Sequence, residues 1–340
     1  MAKSVGKRIA QGVAVALTLA IAAGGVIAYS NRGAIQDHFL AAGFEPSDRI
    51  AQIQEEIKLN PTGERIFLAS QPTIGGRDVF NRWCAGVDHT EEGHVLGCYA
   101  DRRIRLFEVT DERLTGVVET TAAHELLHAS WARMSQDDRA TVSRQLIAEY
   151  DALAATDAEF KQRMSVYESL SKPAFANELH SVFGTEVREL SPELESHYAK
   201  WFTDRSVVVD WYDGYHGVFI ELTAEAERLS TELEALRADI EQRSANYDIA
   251  VQQFNADAAD FKLRNEQYEF SGNKPLFDSI RGQLLDRQEG LDAVRREIQA
   301  DTDRFNDLRA QLVELNDVSL ELNDVLDSTL AEPQERVDAT

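Results

Sequence analysis

The chain has 340 residues, 43% of them apolar, which is enough for a buried core and more than one domain. Its 59 acidic against 35 basic residues give a formal charge of −24. Such a surface repels polyanions, so no nucleic acid is expected as a partner. The excess is uneven: 30 acidic and 13 basic residues fall between Ser206 and Thr340.

At the N-terminus, Lys3, Lys7 and Arg8 precede an uncharged run from Ile9 to Tyr29, long enough to span a bilayer as a helix. Basic residues on that flank predict a cytoplasmic N-terminus. Residues 1–30 therefore read as a single-pass cell-membrane anchor, with the rest of the chain extracytoplasmic. A cleaved signal peptide ending near Val26-Ile27-Ala28, with secretion, is the competing reading. Cys84 and Cys98 follow this run. An oxidising exterior predicts a disulfide between them, two buried thiols being the alternative.

Residues 31–63 read as a linker with a short helix starting near Ser47 and a turn at Asn60-Pro61-Thr62-Gly63. A strand is expected from Ile66 to Ala69, and two more from Val95 to Tyr99 and Ile104 to Val109, joined by a tight turn around Asp101. From Thr115 the pattern becomes helical, with Leu126, Leu127, Trp131 and Met134 at helix spacing. Further helices are expected at Asp137 to Ala155, Ala158 to Leu170, Ala174 to Phe183 and Pro192 to Phe202. Ser171 is the expected cap before Pro173, and Gly184 the expected stop.

The motif in this region is "HELLH", His124 to His128. Positions i and i+4 share a helix face, so both imidazoles can meet one metal ion. Glu125 lies about 100° round from His124, beside the metal, where it can act as a general base. With 8 histidines in the chain, such a string arises by chance in roughly one or two of a hundred chains this long. Its neighbours Thr121, Ala122, Ala123, Leu126, Leu127 and Ala129 are uncharged, which fits a buried helix better than a solvated one.

On these residues the chain resembles the zincin metallopeptidases over roughly Arg65 to Arg205. The metzincin branch is excluded, because "ASWARM" follows His128 where that branch continues HxxGxxH. The resemblance implies Zn2+ and a third protein ligand. In the thermolysin-like (gluzincin) branch this is a glutamate on a later helix, often after an asparagine, and Asn177-Glu178 in "PAFANELHSVFG" matches it. Glu178 is thereby the third ligand, with His180 a weaker candidate. The aspartate that the branch carries four residues beyond the glutamate is Val182 here, and Ser181 is a substitute partner. His197 and Tyr198 are candidate oxyanion donors by residue type, as are Tyr212, Tyr215 and His216. The strand Ile104 to Val109 is the one expected to pair with an extended peptide substrate.

From Leu222 to Tyr268 and from Ile280 to Leu326 apolar residues recur at 4-3 spacing on either side of "FSGNKP", which predicts an antiparallel coiled-coil hairpin. Arg287 and Asp301 interrupt its apolar seam and mark places where register is fixed or pairing weaker. The expected architecture is mostly α. A small α+β zincin-like domain at 64–205, with a short sheet, an active-site helix and a helical bundle, precedes the hairpin at 206–330 and a disordered tail at 331–340. The function expected from it is an anchored zinc metallopeptidase hydrolysing peptide bonds. The alternative is a non-enzymatic scaffold acting through its coiled coil on a protein partner or on a second copy.

Overall fold

The computed structural model describes residues 32–85, 95–167 and 169–328. It is mostly helical, with one three-stranded sheet and two long helices. Two compact units divide it: residues up to Val218 together with those from Asp324, and Phe219–Asn323. Among the described residues no helix is long and apolar enough to cross a membrane. On that finding the expected single-pass membrane placement is corrected: none of the described helices spans a membrane, and the two long ones carry charges at short intervals throughout. The run from Ile9 to Tyr29 and the tail after Ala331 lie outside the described residues.

The first unit begins with α1 (Arg32–Ala42), α2 (Asp48–Glu56) and α3 (Pro61–Ala69). Ser47 caps α2, its hydroxyl accepting from the Ile50 amide. The strand expected at Ile66 to Ala69 is instead the body of α3. Asn60 Oδ1 accepts from the Thr62 and Gly63 amides, and Pro61 occupies the first turn, where it has no amide to leave unpaired. Those four residues start a helix rather than turn the chain. Gly63 also lets α3 approach the Trp201 carbonyl, which an added Cβ would meet at 2.3 Å.

Next come β1 (Thr73–Gly75), α4 (Arg77–Cys84), β2 (Gly97–Ala100) and β3 (Arg103–Phe107). The sheet order is β1-β3-β2, with β1 parallel and β2 antiparallel to β3. Asp101 and Arg102 both have positive φ, 50° and 63°. This is the backbone of a two-residue hairpin turn whose twist matches that of the strands. One sheet face carries Gly97, Tyr99, Ile104 and Leu106; the other carries Cys98 and Phe107, which cluster with Phe80 and Cys84 of α4. Cys84 and Cys98 form a disulfide with Cα atoms 6.1 Å apart, as the sequence predicts.

The helical part comprises α5 (Val117–Trp131), α6 (Gln136–Ala154), α7 (Ala158–Met164), α8 (Lys172–Thr185) and α9 (Pro192–Tyr198). Helix α5 is packed on nearly all sides: Ala122, Ala123, Leu126, Leu127 and Ala129 are fully buried. Each such leucine contributes about 1.5–3 kcal/mol by leaving water. Ser171 caps α8 as expected. Gly184 does not stop it. The helix runs through to Thr185, and a Cβ on Gly184 would lie 2.2 Å from Leu127 Cδ1 and 2.8 Å from Tyr198 Cε1. The missing side chain brings α8 against α5.

The second unit holds most of α10 (Ser206–Glu266) and α11 (Lys274–Leu326). Arg243 pairs with Asp301, Arg287 Nη1 with Asp257 Oδ2 at 2.6 Å, and Arg304 Nη2 with Glu232 Oε1 at 2.5 Å. Partners advance along one helix as they retreat along the other, the pattern of an antiparallel hairpin. Arg287 and Asp301, which interrupt the apolar seam, both make cross-arm pairs that fix this register.

Candidate metal centre

Helix α5 presents His124 and His128 one turn apart, their Nε2 atoms separated by 3.0 Å. Helix α8 brings Glu178 to the same point: its Oε2 lies 3.7 Å from His124 Nε2 and 3.5 Å from His128 Nε2. These distances are too long for hydrogen bonds. Ligand atoms ~2.0–2.1 Å from a tetrahedral zinc stand about 3.3 Å apart, so the triangle has the right edge lengths for one such ion. Glu178 Oε2 is buried without a hydrogen-bond partner. A carboxylate oxygen in that state is costly unless a cation meets it, and this is the clearest sign that the residues fit a metal.

His124, Glu125 and His128 also form a group whose ligand atoms all lie within 4.8 Å of one another. Glu125 and Glu178 therefore compete for third place. Glu178 fits better, since its single oxygen approaches both Nε2 atoms. Glu125 lies against β2 instead, where a Cβ on Gly97 would come within 2.7 Å of Oε1 and 2.8 Å of Cγ. Only a glycine lets the strand reach that carboxyl group.

Burial pushes the Glu178 carboxyl up, but His128 and His124 outweigh it and hold it below its ordinary range. Burial lowers His128, with His124 acting in the same sense and Glu178 and Asn177 opposing. Asn177 stands beside His128 and favours its protonated form, while His128 Nδ1 and Asn177 Oδ1 are both buried. Asn177, one residue before Glu178 on α8, is thus the polar neighbour of His128, rather than the expected Ser181. The Ser181 hydroxyl instead faces the Asn177 carbonyl of its own helix, at 3.5 Å.

The remaining candidates lie elsewhere. Tyr198 is fully buried and donates its hydroxyl to the His180 carbonyl at 2.8 Å, so that proton is committed. His197 Nε2 lies 3.0 Å from His180 Nε2, within rings supplied by Trp131, Tyr198 and Trp201. This pair is a core feature, and its members are removed as ligand or oxyanion donor. Burial lowers His180, with His197 and the motif histidines acting in the same direction. Burial and then Lys200 push His197 down to about 4, against Asp138. Tyr212 accepts from Arg163, which also pairs with Glu186, and stacks on His216; Tyr215 packs against Tyr212.

The strand expected to take substrate is also corrected. β3 is central, bonded on both sides, and has no edge to offer. The edge beside Glu125 belongs to β2. Its position is fixed by Arg133, two residues past α5, which donates to Tyr99 Oη at 3.0 Å, to the Ala129 carbonyl at 2.8 Å, and through Nε and Nη2 to Asp37 of α1 at 2.8 and 3.1 Å. Asp37 also accepts from Arg102 at 3.1 Å. Helix α1 thus helps hold the edge strand to the motif helix, a role invisible in the linker-like sequence of 31–63. No family model, curated protein or solved structure matches this chain.

Proposed function

We propose that the chain is a zinc-dependent metallopeptidase, with His124, His128 and Glu178 as the protein ligands and Glu125 as the general base. The observation that carries this reading is the triangle of two Nε2 atoms and one carboxylate oxygen, the last buried without a hydrogen bond. Bound zinc supplies Lewis acidity and lowers the pKa of water beside it. Glu125, buried against Gly97, takes the proton of the attacking water and delivers it to the departing amine. Among the described residues no strand pairs with the outer edge of β2, and its backbone donors and acceptors suit an extended peptide, which supports a peptide substrate.

The test is cleavage of a mixed library of quenched fluorescent peptides by the zinc-loaded full chain and by Glu125→Gln. The expected result is cleavage by the parent and a loss of about 10²–10⁴-fold in the variant with zinc content unchanged. Zinc-loaded parent protein that cleaves nothing, or a variant that cleaves equally well, contradicts the reading.

A further inference from the structure

A two-helix hairpin buries one stripe of each arm and leaves the rest to water or to a third helix. Within the second unit the seam is closed where Leu229 and Leu308 are buried. Near the Phe219 end it opens. Phe219, Leu222 and Ala226 of α10 and Leu312, Val313 and Leu315 of α11 line a groove of about 840 Å³. Val313 on its wall is 54% exposed, and large apolar side chains continue outside the groove at Ile220 and Leu320, 45% and 60% exposed. An apolar surface of this kind, contiguous with an open groove, marks an interaction site.

The flanks carry one sign of charge. Glu221, Glu227, Glu234, Glu314, Asp317 and Glu321 are all exposed along this stretch. Arg228 is engaged by Glu225 and Glu232 of its own helix and Arg304 by Glu232, which leaves Arg309 as the main opposing charge there. From Phe219 to Thr231 the lined wall of α10 is about 18 Å long at 1.5 Å per residue, or three to four helical turns.

We propose that this groove docks a cationic amphipathic α-helix of a partner protein, its apolar stripe filling the opened seam and its lysines or arginines meeting the acidic flanks. A second copy of this chain would set like-charged flanks against each other, and an anionic lipid surface is repelled for the same reason. An uncharged acyl chain would fill the floor and ignore the flanks. The inference is independent of the metallopeptidase reading.

The test uses the full chain and a dye-labelled leucine/lysine amphipathic helix of about 18 residues, with its leucine/glutamate counterpart, read by fluorescence anisotropy. Saturable binding is expected for the lysine peptide and none for the glutamate peptide. Val313→Arg, at an exposed position of the groove, weakens binding by about tenfold or more. Ile249→Arg is the same change at a position 66% exposed and far along the arm; it alters binding less than about twofold. Circular dichroism confirms that both variants keep their helix content. Equal weakening by the two variants would mean unspecific adhesion to an acidic surface, and would overturn the proposal. So would an absence of saturable binding, or self-association in sedimentation velocity that Val313→Arg abolishes.

Discussion

The two units use charge in opposite ways. In the first, several ionisable groups are buried and depend on a named partner, Asp37 on Arg133 and Arg102 and His180 on His197. In the second, the cross-arm pair of Arg287 and Asp257 is open to water, each side chain about 40% exposed, and even Arg243 and Asp301 are only partly buried. Removing a partner in the first unit strands a desolvated group, whereas in the second the group left behind is simply hydrated.

That contrast can be broken first at Asp37. Asp37→Ala leaves Arg133, 12% exposed, without its carboxylate, and is expected to lower stability by about 3–5 kcal/mol in denaturant unfolding. A loss below about 1 kcal/mol, the usual value of a surface pair, would erase the distinction. The buried histidines give the next largest effect. His197 titrates near 4 in the folded chain, against an ordinary value of 6.5. Between those values the unfolded chain binds a proton that the folded chain refuses, so stability falls as pH drops from 6.5 toward 4. The full span is about 3 kcal/mol, with His180 shifted in the same direction. Unfolding midpoints that do not fall over this range would contradict the burial of the pair as a neutral unit. At the small end, Arg287→Ala is expected to cost less than about 1 kcal/mol, and less still in high salt. A larger loss would show that the seam needs this arginine for packing over Phe254.

How much of this was legible in the sequence follows the same division. The long helices announce themselves through a sustained apolar period, and their ion pairs fall where polar residues interrupt it. The motif helix was legible because its flanks are apolar and its histidines are four apart. Capping chemistry was legible at Ser47 and Ser171 but misread at Asn60-Pro61, where the same residues serve turns and helix starts. Gly184 was misread because a glycine needed for close packing of two helices looks like a terminator until its neighbours are known. β1, α1 and α4 carry short patterns whose meaning comes from tertiary partners: a parallel pairing, the Arg133–Asp37 contact and the disulfide. His197 and Tyr198 were named by chemical type, which says nothing of which way they point.

The most direct test of the central claim is calorimetric titration of the metal-free full chain with zinc, alongside Glu178→Ala. The account predicts about one zinc per chain for the parent and an affinity lower by at least about tenfold in the variant. No zinc binding by the parent, or an unchanged affinity in Glu178→Ala, would contradict the three-ligand centre.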